Sequence, residues 1–138
     1  MRARPLLLLI CLTGAAAPIA AQHGAAGASA KRSTLLVTAA RVVVDQAGYQ
    51  GPCPAKLLLT ATITAAAPLA SPISYQWVRS DGTKGPKRSL RMAGTSGTVT
   101  DHWKLGVSGQ MMRAWSELHI LSPNRLVSNQ ATTSVLCR

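Results

Sequence analysis

The sequence predicts an all-β protein, namely a seven-stranded antiparallel immunoglobulin-like β-sandwich with one disulfide. Three observations support this class: β-branched and apolar residues recur in short alternating runs, turn residues separate these runs, and hardly any stretch has a helical period. A chain of 138 residues is long enough for one core of this kind. A β-barrel is the alternative, because periodicity along a strand does not distinguish a closed sheet from two stacked sheets.

Each predicted strand is a short run with one apolar face. The clearest is residues 56–65, where leucine, alanine and isoleucine occupy every second position and Thr60, Thr62 and Thr64 are among the residues between them. Trp77, in the middle of another run, is predicted to fill the core, and its indole N–H needs a partner when it is buried. The seven predicted strands cover residues 35–45, 56–65, 73–78, 87–92, 98–105, 112–121 and 126–137.

The segment before the predicted sandwich has the composition of an export signal. Residues 1–21 combine two arginines, an apolar run and small residues ending at Ala21, which is the three-part pattern of a secretory signal peptide. The apolar run is shorter than the roughly 20 residues that span a bilayer. Residues 22–33 predict a flexible leader, and residues 34–138 the sandwich. We therefore expect a protein that is secreted or periplasmic, with no transmembrane span after signal cleavage.

The cysteine count predicts one disulfide. Cys11 lies within the predicted signal peptide, which leaves Cys53 and Cys137. In an oxidising compartment, two remaining cysteines favour a bond between them. Closing a loop of about 85 residues stabilises a fold by roughly 4 to 5 kcal/mol on the chain-entropy model. Two free thiols or part of a zinc site are the alternatives, but neither cysteine has a third or fourth ligand beside it.

The chain is strongly basic, with fifteen Lys and Arg against four Asp and Glu and a formal net charge of +11. Its candidate anion-binding residues lie close together in the chain: Arg79, Lys84, Lys87, Arg88 and Arg91. Such a patch suits an anionic envelope polymer or an acidic protein. The alternative is a solvated strand edge whose charges prevent pairing with other sheets. We expect no specific nucleic-acid binding, because the chain has no Phe and no evident recognition helix.

A second candidate surface combines Met111, Arg113 and Trp115, which belong to residue types that are enriched in protein interfaces. The alternative for Trp115 is packing beneath a loop. The oligomeric state is left open by the sequence.

The sequence predicts no catalytic centre, metal site or cofactor. Asp101 and His102 are neighbours on one strand and point to opposite faces. Glu117 and His119 share a face but have no third ligand nearby in sequence, and in an immunoglobulin-like order their strand belongs to the other sheet. The chain contains neither a GxSxG motif nor a Gly-rich phosphate loop. We interpret these four residues as surface polar groups.

Several motifs occur in a recognisable order: YQGPCP at residues 49–54, YQWVRSDG at 75–82, AG at 93–94 before a strand that contains Trp103, and LSPN at 121–124 before Cys137. In this order they resemble a family of small secreted bacterial domains with an immunoglobulin-like or fibronectin-like sandwich, over residues 36–138. The resemblance implies the fold and a Cys53–Cys137 bond, and it implies no assigned activity. Cys53 precedes its strand, which departs from the inter-sheet bridge of antibody domains.

These observations favour a noncatalytic secreted or periplasmic binding or structural module. The expected partner is an anionic envelope polymer or another secreted protein. An inhibitor of a secreted hydrolase is the first alternative function, and a small hydrolase that uses Glu117 or His119 is the second. The step from fold to function is an analogy, because one fold hosts many functions.

Overall fold

Alternation of buried and exposed residues organises the chain into nine strands. The computed structural model describes residues 36–138, so the predicted signal peptide and leader lie outside the described residues. The strands are β1 Val37–Val44, β2 Gly48–Gly51, β3 Ala55–Ala65, β4 Ile73–Arg79, β5 Arg88–Leu90, β6 Ser96–Leu105, β7 Met111–Ser122, β8 Leu126–Val127 and β9 Ala131–Cys137. The described residues include no helix, and accordingly none that is long and apolar enough to cross a membrane. The predicted all-β class is confirmed.

The strands form two sheets. The smaller sheet has three strands in the order β1–β3–β6, and the larger has the order β2–β9–β7–β4–β5, with β8 paired to β7. Neighbouring strands are antiparallel, except that β2 runs parallel to β9. Two separate sheets confirm the predicted sandwich and exclude the alternative barrel for this part of the chain.

The core lies between the sheets and is filled by alternate residues of each strand. Every second residue of β3 from Ala55 to Ala65 is buried, and so is every second residue of β9 from Ala131 to Cys137. Trp77 lies in the core as predicted and is 1% exposed. Its indole N–H is expected to have a partner, but it forms no hydrogen bond with any described residue.

The structure has two more strands than predicted. β2 contains two glycines in four residues and has no alternating apolar pattern to reveal it. The predicted last strand, residues 126–137, is interrupted where Ser128 and Asn129 turn their side chains towards backbone groups of other strands. One such contact is the 2.8 Å hydrogen bond that the Leu118 N–H donates to Ser128 Oγ. The predicted strand 87–92 is also shorter, because only Arg88–Leu90 pairs with β4.

The predicted Cys53–Cys137 disulfide is present, with the two Cα atoms 5.4 Å apart. Cys53 lies in the turn between β2 and β3, and Cys137 ends β9. The bond therefore closes one end of the sandwich, and Cys53 lies ahead of its strand as the sequence indicated. Gly106, the residue after β6, packs directly against both sulfur atoms.

Two asparagines fasten β1, which is an outer strand of the smaller sheet. The Val37 N–H donates to Asn124 Oδ1 at 2.8 Å, and Asn124 Nδ2 donates to the Val37 carbonyl at 3.0 Å. Further along β1, the Val42 N–H donates to Asn129 Oδ1 at 2.8 Å, and Asn129 Nδ2 donates to the Val42 carbonyl at 2.9 Å. Each amide thus takes the place of a neighbouring strand and joins β1 to segments flanking β8.

Replacing Asn129 by alanine is expected to lower the free energy of unfolding by about 2 kcal/mol, because Val42 loses two hydrogen-bond partners. Val42 is only 2% exposed, so water replaces these partners poorly. Urea denaturation of the Asn129→Ala variant measures the loss. Gln130→Ala is the control, since this neighbouring amide is exposed and is expected to change stability by at most about 0.5 kcal/mol. Equal midpoints for the two variants would contradict the assignment.

Candidate functional site

The turn that joins β4 to β5 has a fixed conformation. Asp81 Oδ1 accepts hydrogen bonds from the Thr83 hydroxyl at 2.7 Å and from the Thr83 N–H at 2.9 Å. Gly82 has a φ of 82°, in the left-handed region that favours glycine. The bonds from Thr83, with a smaller contribution from Arg79, hold the pKa of the Asp81 carboxyl below its ordinary value of 3.8. Asp81 is therefore ionised at neutral pH and stabilises the turn.

The segment that follows the turn is bound to β4 along its backbone. Lys84 forms a β-bridge with Val78. The Gly85 N–H donates to the Trp77 carbonyl at 2.9 Å, and the Gly85 carbonyl accepts from Gln76 Nε2 at 2.8 Å. We call residues 80–91 the basic hairpin. Its backbone is held against the larger sheet, while its basic side chains are exposed.

Four of the five predicted anion-binding residues have exposed side chains: Lys84, Lys87, Arg88 and Arg91. They lie on β5 and the segments that flank it, at one edge of the larger sheet. Within residues 36–138, Lys84, Lys87 and Arg91 form no ion pair with a carboxylate. The hairpin therefore presents several cations without a carboxylate partner. This geometry suits both interpretations from the sequence, namely an anion-binding patch and a solvated strand edge whose charges prevent pairing with other sheets.

Arg79, the fifth predicted residue, differs from the others because it points inward and is already paired. Its Nη2 donates to Asp101 Oδ2 at 2.9 Å, and its guanidinium carbon lies 5.4 Å from the ring centroid of Trp103. The side chains of Arg79 and Asp101 are only 22% and 15% exposed. Since Asp101 lies on β6, the pair connects the two sheets. Arg79 therefore supports the structure of this edge, and Asp101 offsets its charge.

The inward direction of Arg79 has a signal in the sequence. Arg79 follows Tyr75 and Trp77 at a spacing of two, so it shares their buried face. Asp101 lies between Val99 and Trp103 at the same spacing on β6. The alternation thus places both members of the pair between the sheets, although the charge count alone groups Arg79 with the exposed residues.

All four acidic side chains of the chain have partners nearby. The partners are the Leu58 N–H for Asp45, Thr83 for Asp81, Arg79 for Asp101 and His119 for Glu117. These internal contacts occupy the carboxylates, and of the exposed hairpin cations only Arg88 lies near one, with its Nη1 3.9 Å from Asp101 Oδ1. The electrostatic character of this edge is consequently positive.

The second candidate surface lies on the outer face of β7. Met111, Arg113 and Trp115 alternate along the strand and so share that face. Met111 is 68% exposed, Arg113 is exposed and Trp115 is half-buried. The Ser80 N–H donates to the Trp115 carbonyl at 2.9 Å, so the start of the hairpin lies beside Trp115. Met111 borders a shallow depression that is also lined by Gly48, Tyr49, Gln50, Ser134 and Leu136.

The four polar residues that could serve in catalysis lie in three different places. They are Asp101, His102, Glu117 and His119. Asp101 faces the interior, and His102 is exposed on the outer face of the smaller sheet. On the larger sheet, Glu117 Oε1 and His119 Nε2 lie 2.7 Å apart, and Gln130 Nε2 donates to Glu117 at 3.3 Å. Among the residues with described positions, no three His, Cys, Asp or Glu side chains form a group that could hold a metal ion.

Comparison with known proteins supports the fold. No family model and no curated protein matches the chain. The CARDB domain of a Pyrococcus furiosus protein, solved in complex with di-metal ions, has a TM-score of 0.50 and 13% identity, covering 77% of this chain and 100% of that chain. A beta-glucosidase from Listeria innocua, in complex with glucose, has a TM-score of 0.45 and 15% identity over 72% of this chain and 16% of that chain. The likeness to the CARDB domain shows an immunoglobulin-like β-rich fold.

Proposed function

We propose that the protein is a noncatalytic, secreted or periplasmic binding module that contacts an anionic envelope polymer through its basic hairpin. One observation carries this proposal: Lys84, Lys87 and Arg91 are exposed, lie close together in the chain, and have no carboxylate partner among the described residues. A disulfide is compatible with export, since such bonds persist in oxidising compartments. The signal-peptide pattern of residues 1–21 supports the same location.

The rigidity of the hairpin favours binding. Backbone bonds hold Lys84 and Gly85 against β4 before any ligand arrives. A preorganised surface loses less conformational entropy when it binds than a mobile loop does. The exposed cations also attract a polyanion over a distance of about 10 Å at an ionic strength of 0.1 M, and salt weakens this attraction.

A secreted protein is the second candidate partner, including a hydrolase that this chain would inhibit. Met111 favours this candidate, because methionine is enriched at protein interfaces and this side chain is 68% exposed beside a depression. The depression lies at the β2–β9–β7 side of the larger sheet, whereas β5 forms the opposite edge. Met111 and the depression can therefore be altered by substitution without changing the hairpin cations.

Replacing Lys84, Lys87 and Arg91 together by serine is expected to weaken binding to dextran sulfate at low salt. Each exposed ion pair contributes up to about 1 kcal/mol, so the loss of three corresponds to roughly a 10- to 100-fold lower affinity. The salt concentration at which the protein elutes from a dextran sulfate column measures the change. Arg79 is retained, so the pair with Asp101 stays intact.

The control removes three exposed cations elsewhere, by replacing Arg113, Arg125 and Arg138 with serine. Both variants lose three positive charges and so have the same net charge, but they lose these charges at different positions. Earlier elution of the hairpin variant alone supports the proposal. Equally early elution of both variants would show that net charge alone retains the protein, and would overturn it.

A further inference from the structure

The outer face of the smaller sheet carries a regular array of hydroxyl groups. Three cross-strand pairs form the array: Thr60 with Thr100, Thr62 with Thr98, and Thr64 with Ser96. Paired strands lie about 4.8 Å apart, and alternate residues of one strand lie about 6.8 Å apart. Among the described residues these hydroxyls take part in no side-chain hydrogen bond, and Thr38 Oγ1 donates to the backbone carbonyl of Thr64. The array is therefore available to an external ligand.

The same face carries cations in an unfavourable arrangement. Lys56 lies directly opposite Lys104, in the register that also pairs Leu58 with His102. Arg41 of β1 lies beside Thr62. Both lysines are exposed, and neither forms an ion pair with a described carboxylate. Like charges that face each other across two strands destabilise a sheet, so an external anion between the lysines would relieve their repulsion.

The array lies next to the basic hairpin. β6 is an outer strand of the smaller sheet and β5 an outer strand of the larger. Arg88 Nη1 of β5 lies 3.9 Å from Asp101 Oδ1 of β6, so these two edges adjoin. The chain also passes from Arg91 into β6 within residues 92–95. A long polymer that contacts the hairpin cations is therefore close to the hydroxyl array.

We propose that the outer face of the smaller sheet binds the sugar units of an anionic polysaccharide. This inference rests on the proposed function and names the class of its polymer. The threonine hydroxyls would bond to sugar hydroxyls, and Lys56 and Lys104 would bind a sulfate or carboxylate group between them. A polysaccharide presents both kinds of group, whereas a polyphosphate chain presents only the charge. An arrangement that weakens the fold locally is typical of a binding site.

The first test replaces Thr62 and Thr98, which face each other, by valine. Valine keeps the β-branched shape and removes two hydroxyls without changing charge. Calorimetric titration is expected to show about 5- to 10-fold weaker binding to dextran sulfate, and unchanged binding to polyphosphate. The control is Thr132→Val on the outer face of β9, which should affect neither polymer. Valine variants that bind dextran sulfate as tightly as the unaltered protein would overturn the inference.

The second test replaces Lys104 by glutamate, which turns the repulsion with Lys56 into attraction. The melting temperature is expected to rise by a few degrees, while the affinity for dextran sulfate falls about 10-fold. A purely structural pair would change the melting temperature alone, and that result would overturn the inference.

If only the hairpin variant weakens binding, the proposed function stands without this site. If the hairpin variant binds normally, the proposed function itself fails.

Discussion

Replacing Cys53 and Cys137 by alanine is expected to lower the free energy of unfolding by about 4 to 5 kcal/mol. The two cysteines are 84 residues apart, so the bond restricts most of the unfolded sandwich. Removing it gives that conformational freedom back to the unfolded chain. The loss is large beside the 5 to 15 kcal/mol that is usual for a whole domain. Urea denaturation, followed by circular dichroism, measures it.

Reduction of the unaltered protein provides the control for this double variant. A strong reductant breaks the same bond without changing any side-chain volume, and it should reproduce most of the destabilisation. Before reduction, a thiol-alkylating reagent should modify neither Cys53 nor Cys137. A double variant that unfolds at the same urea concentration as the oxidised protein would contradict the stabilising role of the bond.

Replacing Gly106 by alanine is expected to lower the free energy of unfolding by about 3 kcal/mol, because two penalties add. The φ of Gly106 is 104°, a conformation that costs residues with a Cβ atom about 1 to 2 kcal/mol. A Cβ at this position would also lie 2.5 Å from Cys137 Sγ and 2.8 Å from Cys53 Sγ. The disulfide or the backbone must therefore move. Thermal and urea unfolding of the variant measure the sum.

Gly109→Ala separates the two penalties. Gly109 also has a positive φ, 78°, but a Cβ there would meet no atom within 4 Å. Replacing Gly109 by alanine is thus expected to lower the free energy of unfolding only by the penalty for the positive φ. In a background that lacks both cysteines, Gly106→Ala should cost less, because the sulfur atoms are gone and only the 3.1 Å approach to Val135 Cγ1 remains close. An equal cost of Gly106→Ala with and without the disulfide would refute the proposed contact.

The sequence predicts those parts of the fold that depend on local periodicity. On β3 and β9 the buried positions are those of the alternating pattern, since side chains on a strand point to opposite faces in turn. The disulfide follows from a count of cysteines. The bonds of Asn124 to Val37 and of Asn129 to Val42 join residues 87 positions apart. No local pattern specifies such pairs, so they emerge only from the folded chain.

The candidate site likewise combines features that the sequence predicts with features that emerge only from the folded chain. The cluster of basic residues is visible in the sequence, and the structure exposes Lys84, Lys87 and Arg91 at one edge. The pairing of Arg79 with Asp101 depends on how β4 and β6 face each other across the core, which charge counting does not describe. The threonine array likewise depends on the β3–β6 register. Register and sheet packing, rather than composition, therefore decide which polar groups remain available.

The most direct test of the central claim measures dextran sulfate binding at graded salt concentrations, with the unaltered protein and the hairpin serine variant. Binding through the hairpin cations predicts that the logarithm of the affinity falls linearly with the logarithm of salt concentration between about 50 and about 200 mM. The slope should be smaller in magnitude for the serine variant, by about two to three. An affinity that is independent of salt, or equal slopes for the two proteins, would contradict the claim that this hairpin binds the polymer.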